Sequence, residues 1–600
     1  MKKSISLILA IILAFSSFVF YGIAADEPLN GVYAIQDDLL ADDGVDRKIN
    51  LFERNGMYYL FVPASVNLLF ADFVVPSGKE VKVNGTAYTE TKKLAEVFGD
   101  KTEITLTVGG KDYKVVMIKE SKVASVFIAT ESGNLDYIHA EKGNEEKGFI
   151  EIADSLGLTV WEGELEIKGR GNSTWKMEKK PYNIKLDEKV NLFGMGKTKK
   201  WSLIANHGDE SLIRNVLAYE AAEKAGMPYN PQFTPVDVYI NNDYMGAYLL
   251  TTRIGIDKSN VDIEDLEGET EDVNENDLDT YPRAGSYGSS AGLIEGSKKW
   301  FDIPNNPADI TGGYIIEMEL ANRYTDELSG FVTTRSQPFT MKTPECLTKA
   351  QVDYISSLYQ KFEDAVYAEA DMATIGKYCN VESLAQMYII NEWASNQDAG
   401  LTSTYFYKPA GENETLYGGP VWDFDIGFGN NDSNRFGNDY TDPTKWTVCY
   451  NRMYRNTVFG TWDIDEKPTV YNVLTKNAGF IAEVEKVWKN GAKSAISDTI
   501  SMVDEVYVPF IEGSAVANAI RWNIFGTLDV AEIKTKFAQA TDSALSFAKI
   551  KSQTMDAGIG VVQNNAPQTN PVLKFFKGAL VDVNNLLELI VVKFDLVNKI

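Results

Sequence analysis

Three aspartates in the second half of the chain have the types and spacing expected of a metal-dependent site. Asp398 follows a helical run, and a strand-like segment at 404–408 and a glycine-rich turn separate it from Asp423 and Asp425. In an extended segment Asp423 and Asp425 point to the same side, because successive side chains of a strand alternate between its faces. Carboxylate oxygens suit Mg²⁺ and Mn²⁺. We therefore predict Asp423 and Asp425 as metal ligands and Asp398 as the catalytic residue beside them.

A second group of candidates lies in a glycine-rich turn in the first half of the chain. After a strand-like segment that ends at Ile167, the residues are Lys-Gly-Arg-Gly-Asn-Ser-Thr-Trp. Glycines let the backbone approach a ligand closely, and exposed N–H groups and hydroxyls suit phosphate. The pattern is neither a Walker loop nor a complete GxGxxG motif, so a simple β-turn is the alternative. The candidate nucleotide-binding residues of this turn are Gly169, Arg170, Gly171, Asn172 and Ser173.

Three basic residues after this turn are candidates for phosphate contacts. Lys180 and Lys185 lie in or beside a strand-like run. A glycine-rich turn followed by a lysine on a strand is the arrangement that kinases use over nucleotide phosphates. The sequence does not separate Lys180 from Lys185. Arg214 falls in the first turn of a predicted helix, where the helix dipole disfavours a cation, so we expect it to have a structural or functional partner.

The order of these residues along the chain favours phosphoryl transfer. A glycine turn, a lysine strand, Asp398 and then the Asp423–Asp425 pair follow one another as in protein-kinase-like folds. In that chemistry the first aspartate orients the acceptor hydroxyl, and the later one holds the metal that bridges the ATP phosphates. An Asp-x-Asp pair is common in so acidic a chain, so the prediction depends on the ordered set.

Composition excludes several other classes of function. The chain has 600 residues and a formal net charge of −27, from 58 Lys and Arg against 85 Asp and Glu. A field of this sign repels phosphate backbones, which argues against nucleic acid as a partner and favours cationic partners or divalent metal. The two histidines, His139 and His207, leave little material for a zinc site or a serine–histidine triad. Three scattered cysteines are predicted to be buried thiols, not a disulfide framework.

Both ends of the sequence indicate segments outside the folded domains. Residues 1–25 combine a short basic start, an apolar stretch and small residues, which is the pattern of a cleaved secretory signal peptide; an uncleaved membrane anchor is the alternative. We therefore expect a secreted or cell-surface protein with no transmembrane segment after signal removal. Residues 551–600 are expected to form a linker, around the polar stretch 564–571, and an amphipathic helical segment.

The elements between these ends predict an α+β protein in two parts. Residues 26–120 alternate short β-rich runs with Asn-Gly and Gly-Gly turns, which indicates a small β-sandwich-like domain. Residues 121–550 begin with strands and continue with helices. Within them, the stretch 261–299 is acidic and then rich in Gly and Ser, and we expect it to be a solvated loop, with calcium binding as the minor alternative. Helices are predicted at 348–370, 381–396, 477–506 and 530–555.

Several segments between Val123 and Ala548 occur in a characteristic order. They are Lys168-Gly-Arg-Gly-Asn-Ser-Thr-Trp175, Lys180-Pro-Tyr-Asn-Ile-Lys185, Trp201-Ser-Leu-Ile-Ala-Asn206, Val238-Tyr-Ile-Asn-Asn-Asp-Tyr-Met-Gly-Ala-Tyr248 and Val421-Trp-Asp-Phe-Asp425. Together they resemble the motifs of the spore coat protein H (CotH) kinase-like family. The resemblance implies an atypical, two-lobed protein-kinase-like domain at 121–550 that uses ATP and Mg²⁺ or Mn²⁺.

Carried over to this chain, the resemblance implies phosphate contacts from Lys180 or Lys185, a catalytic Asp398, and metal binding by Asp423 and Asp425. Which of the two later aspartates is the main metal ligand stays open. Ordinary kinases carry an Asn after the catalytic aspartate that holds a second metal ion. The stretch 398–404 contains no Asn, so Thr404 or Asp425 would have to take its place.

The sequence therefore predicts a secreted kinase that transfers the γ-phosphate of ATP to Ser or Thr of extracellular, spore or cell-surface proteins. Its acidic surface favours a basic, Ser-rich protein substrate. The first alternative is a catalytically inactive kinase-like binding protein. The second is a carbohydrate-active enzyme in which Glu392 and Asp398 form the acid/base pair. The sequence leaves the oligomeric state open.

Overall fold

The computed structural model of the chain is an α+β protein. It describes residues 29–36, 47–75, 80–120, 122–286, 293–411, 415–431, 438–456 and 462–561. The chain divides into two compact units. Among the described residues, the first unit comprises those from 29 to 62, from 66 to 119 and from 242 to 244, and the second comprises those from 63 to 65, from 120 to 241 and from 245 to 561. The predicted signal peptide and the predicted C-terminal segment from 562 onward lie outside the described residues.

The first unit is rich in β-strands, as the sequence predicts for this part of the chain. Its strands are β1 (Tyr33–Gln36), β2 (Arg47–Asn50), β3 (Phe52–Arg54), β4 (Met57–Val62), β5 (Asp72–Val74), β6 (Val81–Val83), β7 (Thr86–Ala87), β8 (Lys92–Lys93), β9 (Glu103–Val108) and β10 (Lys111–Lys119), with a short helix, α1 (Leu94–Phe98). They form a sheet in the order β2-β1-β5-β8 and a second sheet in the order β3-β4-β10-β9-β6-β7.

Two hairpins of this unit form at the predicted turns. Asn84 and Gly85 link β6 to β7, and Gly109 and Gly110 link β9 to β10. All four residues have φ angles between 49° and 82°. Two-residue turns with positive φ at both positions match the right-handed twist of the flanking strands, which is why Asn-Gly and Gly-Gly occur there. The prediction of these hairpins is confirmed.

The second unit begins with a closed barrel. Its strands are β11 (Ala124–Thr130), β12 (Glu145–Ala153), β13 (Thr159–Gly169), β14 (Tyr182–Asn191), β15 (Lys197–Ile204), β16 (Phe233–Ile240) and β17 (Asp243–Thr252), with helix α2 (Asp136–Ala140) between β11 and β12. They follow one another in the order β11-β12-β13-β14-β15-β17-β16, and a parallel pairing of β11 with β16 closes the barrel. The glycine turn leaves the barrel at the end of β13 and returns to it at the start of β14.

The remainder of the second unit combines a mostly buried antiparallel sheet with helices. The strands are β18 (Arg283–Gly285), β19 (Lys298–Phe301), β20 (Tyr314–Met318), β21 (Gly330–Val332), β22 (Pro338–Thr343), β23 (Thr404–Lys408) and β24 (Tyr417–Gly418), in the order β18-β19-β21-β22-β20-β23-β24. A separate hairpin pairs β25 (Arg452–Asn456) with β26 (Trp462–Pro468).

The helices of this unit are α3 (Arg214–Lys224), α4 (Leu266–Asp272), α5 (Ala321–Tyr324), α6 (Lys349–Tyr367), α7 (Met372–Ile375), α8 (Val381–Ala394), α9 (Val470–Leu474), α10 (Ala478–Val487), α11 (Lys493–Met502), α12 (Val508–Trp522) and α13 (Val530–Gly558). Side-chain caps fix several of their starts: Thr348 and Gln351 form a capping box on α6, and Asp529 caps α13. Among the described helices, none combines the length and the apolar character needed to cross a membrane.

Two boundaries differ from the predicted ones. The helix predicted at 530–555 ends at Gly558, so residues 551–558, which the predicted domain division assigns to the linker, continue α13, because Lys551 and Met555 are fully buried and anchor this end of the helix. The described part of 261–299, expected to be a loop, contains α4, β18 and β19. Leu266 is 1% exposed and packs into the main core. The burial of this one apolar residue explains why the segment is ordered, although its acidic composition predicts a solvated loop.

Candidate active site

The glycine turn after β13 packs against its own tryptophan. A Cβ added at Gly169 would lie 2.5 Å from the indole of Trp175, and Gly171 has a φ of +80°. Both positions therefore require glycine, the first for close packing and the second for its backbone conformation. Asn172 and Ser173 are exposed at the tip of the turn. The turn is thus fixed at its base and accessible at its tip.

The two candidate lysines lie in different environments. The Nζ of Lys180 donates to the carbonyl oxygens of Trp175 at 2.8 Å and Met177 at 3.4 Å, and it lies 4.8 Å from the centroid of the Trp175 ring. Lys185 alternates with buried residues of β14, is exposed, and pairs with Glu166 at 2.8 Å. Lys180 therefore stabilises the glycine turn through contacts with its backbone and its tryptophan ring. Lys185 instead lies on the outer face of the barrel.

A third lysine, Lys179, is completely buried next to this turn. The sequence alone does not distinguish it from the adjacent Lys180. The Nζ of Lys179 donates to the carbonyl oxygen of Ala205 at 2.8 Å, to Oδ1 of Asn518 at 2.7 Å, and to the carbonyl oxygen of Ala247. Burial lowers the pKa of Lys179 well below its ordinary value, and the carboxylate of Asp237 partly opposes this shift. Lys179 thereby joins the end of the glycine turn to β17 and α12.

Arg214 finds its partners within the protein. Its guanidinium is buried and forms an ion pair with Asp209, and its Nε donates to the carbonyl oxygen of Gly427 at 3.1 Å. The backbone N–H of Arg214 also donates to Asp209, at 3.0 Å. The expected partner is therefore structural: Arg214 fastens the start of α3 to the loop that follows Asp425. These groups enclose the guanidinium, and a nucleotide contact from Arg214 stays a prediction.

Buried amides hold the loop that carries Asp398. The N–H of Asp398 donates to Oδ1 of Asn396 at 3.0 Å, and its carbonyl oxygen accepts the N–H of Leu401 at 2.9 Å. Asn451 is completely buried, and its side-chain amide donates to the carbonyl oxygen of Ala399 at 2.9 Å. The backbone of the loop is thus fixed while the side chain of Asp398 stays partly exposed. Nothing in the sequence marks Asn451, which lies in a separate segment, for this role.

The segment with Asp423 and Asp425 is not the extended strand that the sequence predicts. Asp423 has a φ of +69°, in the left-handed region, and the next N–H, of Phe424, donates to Oδ1 of Asn215 at 2.8 Å. The amide of Asn215, on α3, captures this N–H and so imposes the turn. Backbone conformations of this kind in residues other than glycine cluster at functional sites. On the other side, the hydroxyl of Ser403 donates to Oδ2 of Asp423 at 3.2 Å.

Thr404 does not take the place of the missing Asn. Its Oγ1 is buried, accepts the N–H of Gly400 at 3.0 Å and donates to the carbonyl oxygen of Thr402 at 3.1 Å. These contacts close the turn before β23, so the expectation that Thr404 compensates is wrong. The neighbouring Ser403 is the residue of this stretch that contacts Asp423.

Several carboxylates and one guanidinium interact around Asp425. Burial raises the pKa of Asp425 well above its usual range, and the nearby carboxylates of Asp423, Asp209 and Asp398 raise this pKa further, while Arg170 lowers it. The protein's own groups therefore leave the ionised form of Asp425 under-compensated. A divalent cation beside Asp425 would supply the missing positive charge.

Arg170 connects the glycine turn to this group of carboxylates. Its guanidinium lies over the ring of Trp422, 5.5 Å from the centroid, and its charge acts on Asp425. The structure therefore brings Arg170 together with Asp398, Asp423 and Asp425, although the glycine turn and the aspartates are far apart in the sequence. Lys185 does not reach this group, because it lies on the outer face of the barrel and pairs with Glu166. The guanidinium of Arg214 is engaged in its ion pair with Asp209.

The carboxylates fit a divalent ion in combination with oxygens from a ligand. In the part of the chain that the structure describes, no group of three or more His, Cys, Asp or Glu side chains is arranged to hold a metal ion. Mg²⁺ in nucleotide sites commonly takes one or two carboxylates and completes its octahedral shell with phosphate and water oxygens. The carboxylates of Asp423 and Asp425 are oxygen ligands of this kind, and the charge of Asp423 acts on Asp425.

Glu392 has a structural role. It is completely buried on α8, pairs with the equally buried Lys551 of α13 at 2.7 Å, and accepts the N–H groups of Thr447 and Val448, each at 2.8 Å. A carboxylate enclosed by these partners has no access to a substrate. The alternative in which Glu392 and Asp398 form the acid/base pair of a carbohydrate-active enzyme is therefore wrong.

The fold and the site define an α+β protein in which a glycine turn on a barrel reaches a group of aspartates on a helix-rich region. A family model described as CotH kinase protein matches residues 167–555. This span contains the glycine turn and all three candidate aspartates, and it covers more than half of the chain. The chain therefore belongs to the CotH kinase protein family and is a kinase-like protein. A search of curated proteins finds no match.

Proposed function

We propose that this protein is a secreted atypical protein kinase that transfers the γ-phosphate of ATP to Ser or Thr of extracellular, spore or cell-surface proteins, with Mg²⁺ or Mn²⁺. The observation that carries the proposal is the convergence of Arg170 with Asp398, Asp423 and Asp425. A cation from a glycine turn and aspartates from two later loops are the components that phosphoryl transfer requires.

In this proposal the two parts of the second unit act as the two lobes of a kinase. The barrel supplies the glycine turn, whose exposed tip at Asn172 and Ser173 covers the phosphates. The helix-rich part supplies the loop of Asp398 and the turn of Asp423. Arg214 and Asn215, both at the start of α3, position the second of these loops.

Each residue has a separate task in the reaction. Asp398 accepts a hydrogen bond from the acceptor hydroxyl and aligns it with the phosphorus atom. Arg170 and the N–H groups of the turn hold the phosphate oxygens, and Lys180 keeps the turn in shape through its carbonyl contacts. Asp423 and Asp425 are the residues that would hold the metal. When bound, the metal would neutralise negative charge on the transferred phosphoryl group.

The charge of the chain supports a cationic protein substrate. A net charge of −27 attracts basic segments at long range and speeds their association at low ionic strength. A basic, Ser-rich acceptor is therefore the substrate class that we propose.

A specific observation favours a second candidate, a kinase-like protein that binds nucleotide without transferring phosphate. Lys180 already donates to two carbonyl oxygens, Arg214 is enclosed, and no Asn follows Asp398 in the loop. A site with these features has fewer groups available to stabilise the transferred phosphoryl group than an ordinary kinase.

Phosphate transfer from γ-labelled ATP separates the two candidates. The protein from residue 26 onward would be incubated with Mg²⁺ or Mn²⁺ and a basic Ser-rich acceptor, beside Asp398→Asn and the double variant Asp423→Ala/Asp425→Ala. Asp498→Asn, an exposed aspartate on α11, is the matched control. Metal-dependent label that disappears in both site variants but not in the control supports the kinase. Absence of label with an ATP-induced rise in melting temperature supports the binding protein, and absence of both effects overturns the proposal.

A further inference from the structure

Ser403 has a defined position relative to two of the site aspartates. It is the fifth residue after Asp398, which is the spacing at which kinase catalytic loops carry the Asn that binds a second metal ion. Its Oγ lies 3.2 Å from Oδ2 of Asp423. The sequence position of this hydroxyl is thus that of the carboxamide in an ordinary kinase, and its geometry places it within hydrogen-bond distance of a candidate metal ligand.

The surrounding residues direct this hydroxyl to Asp423. The backbone of Ser403 is in the left-handed region, with a φ of +49°, which is uncommon outside glycine and is enriched for Asn. The adjacent hydroxyls are used elsewhere: Thr402 donates to Glu319 at 2.8 Å, and Thr404 donates to the backbone at 3.1 Å. Ser403 is thus the hydroxyl of the loop that faces the metal-site carboxylate.

The distance fits two ligands of one ion. Oxygens at adjacent corners of an octahedral Mg²⁺ shell are about 3.0 Å apart, because each lies about 2.1 Å from the metal. The observed separation between Ser403 and Asp423 is 3.2 Å. A serine hydroxyl has two lone pairs, and in P-loop enzymes a Ser or Thr hydroxyl binds Mg²⁺ directly. The pair can therefore coordinate a cation without rearrangement of the loop.

We propose that Oγ of Ser403 and Oδ2 of Asp423 are adjacent ligands of one divalent cation, with Ser403 in the role that Asn has in ordinary kinases. The inference rests on the proposed function, since the cation belongs to the nucleotide complex. A neutral hydroxyl replaces a carboxamide oxygen here, so the ion is held more weakly than it would be with Asn at this position. The left-handed backbone accepts Asn readily, which makes the reverse substitution practicable.

The direct test is Mn²⁺ binding, followed by electron paramagnetic resonance in the presence of a non-hydrolysable ATP analogue. The protein from residue 26 onward would be compared with Ser403→Ala and Ser403→Asn. We expect Ser403→Ala to weaken Mn²⁺ binding about tenfold or more. Ser403→Asn should bind at least as tightly as the wild type. Ser494→Ala, which removes an exposed hydroxyl on α11, is the matched control and should change nothing.

A second variant separates a ligand from a residue that only orients Asp423. Ser403→Cys places a sulfur at this position, and sulfur prefers metal ions that are softer than Mn²⁺. If position 403 coordinates the ion, this variant shifts the preference for Cd²⁺ over Mn²⁺ by tenfold or more relative to the wild type. If the side chain only donates to Asp423, the preference stays unchanged. The native cysteines, all buried, give the same background in both proteins.

The outcomes distinguish this inference from the proposed function. A wild type that binds Mn²⁺ with the ATP analogue, together with an unaffected Ser403→Ala, overturns the assignment of Ser403 and leaves the kinase proposal standing. An unchanged ion preference in Ser403→Cys also overturns it. A wild type that binds no Mn²⁺ with the analogue overturns both. Weakened binding in Ser403→Ala with the shifted preference in Ser403→Cys supports the assignment.

Discussion

The guanidinium of Arg170 lies 5.5 Å from the centroid of the Trp422 indole, and Trp422 directly precedes Asp423. A planar cation over an indole face is held in place by the electrostatic attraction of the ring. This contact fixes the glycine turn next to the candidate aspartates without using the N–H groups of the guanidinium. Those N–H groups can therefore serve a phosphate.

Replacing Arg170 should affect nucleotide binding far more than replacing Lys185. We expect Arg170→Ala to weaken ATP affinity about tenfold or more, since it removes a cation beside Asp425 and the link to Trp422. Lys185→Ala removes only an exposed ion pair, of the kind that contributes about 1 kcal/mol or less, and should change the affinity less than about twofold. Isothermal titration with ATP and Mg²⁺ measures both. Equal losses in the two variants would refute the placement of Lys185 outside the site.

Asp398→Asn should lower kcat for phosphate transfer by about 10²–10⁴-fold with little change in ATP affinity. The amide keeps the size of the side chain but cannot accept the proton of the acceptor hydroxyl. The loop should keep its shape, since Asn396 and Asn451 bind backbone atoms and not this carboxylate. Steady-state kinetics with parallel ATP titration checks the prediction. A comparable loss of ATP binding would show that Asp398 acts on the nucleotide instead.

Asp425→Asn should stabilise the metal-free protein and abolish its response to metal. Because burial and neighbouring carboxylates raise the pKa of Asp425, its ionised form is disfavoured in the fold, and a neutral amide avoids this penalty. In the wild type, Mn²⁺ with an ATP analogue should raise the melting temperature, and more so as the pH rises and Asp425 loses its proton. Thermal denaturation with and without the ion measures both effects. A metal-dependent rise that persists in Asp425→Asn contradicts the assigned role.

Glu319 should give the stability a measurable pH dependence. Burial, and next the carboxylate of Glu317, raise the pKa of Glu319 from 4.5 to about 7. The folded state therefore keeps this proton to a higher pH than the unfolded state, and stability falls as pH rises from 4.5 to about 7. Above pH 7 the free energy of unfolding of Glu319→Gln should therefore exceed that of the wild type by up to about 3 kcal/mol, because the variant has no carboxyl group to ionise at this position.

The check is the difference in melting temperature between Glu319→Gln and the wild type from pH 5 to pH 8. It should grow in favour of the variant up to about pH 7, the pKa of Glu319, and then level off. Glu505→Gln, an exposed position, serves as the matched control. A difference independent of pH would mean that Glu319 is ionised throughout the range.

Breaking the Lys551–Glu392 pair should destabilise the protein strongly. Both side chains are completely buried, so Lys551→Met leaves an uncompensated carboxylate in the core, a change that typically costs about 3–5 kcal/mol. The double variant Lys551→Met/Glu392→Gln should lose less, because the second substitution removes the unpaired charge. Thermal denaturation of the three proteins tests this order. A double variant less stable than Lys551→Met would contradict it.

Local features of the fold are readable from the sequence because they depend on neighbouring residues. The Asn84-Gly85 and Gly109-Gly110 turns form where the pattern places them, and α13 starts at the residue predicted because Asp529 caps it. The choice of the candidate aspartates depends on residue types and order, which are those of a phosphoryl-transfer site, and their roles stay predictions.

Features that depend on distant contacts are not readable in this way. Lys179 and Lys180 are adjacent and identical, yet only the contacts with Ala247 and Asn518 bury the first of them. In the sequence nothing distinguishes Glu392 from a surface carboxylate. In the fold, Lys551 and the N–H groups of the 447–449 segment enclose it. Asp423 departs from an extended conformation because of Asn215, which lies about two hundred residues earlier.

The hydrogen bond between Lys179 and Asn518 spans 339 positions of the chain. At a translation rate of about 5–20 residues per second, Asn518 is synthesised roughly 20–70 seconds after Lys179. Until then the ammonium group lacks one of its three acceptors, and the glycine turn that follows β13 lacks its anchor on α12. The glycine turn of a nascent chain is therefore anchored late, after almost all of the residues that the family model matches have been made.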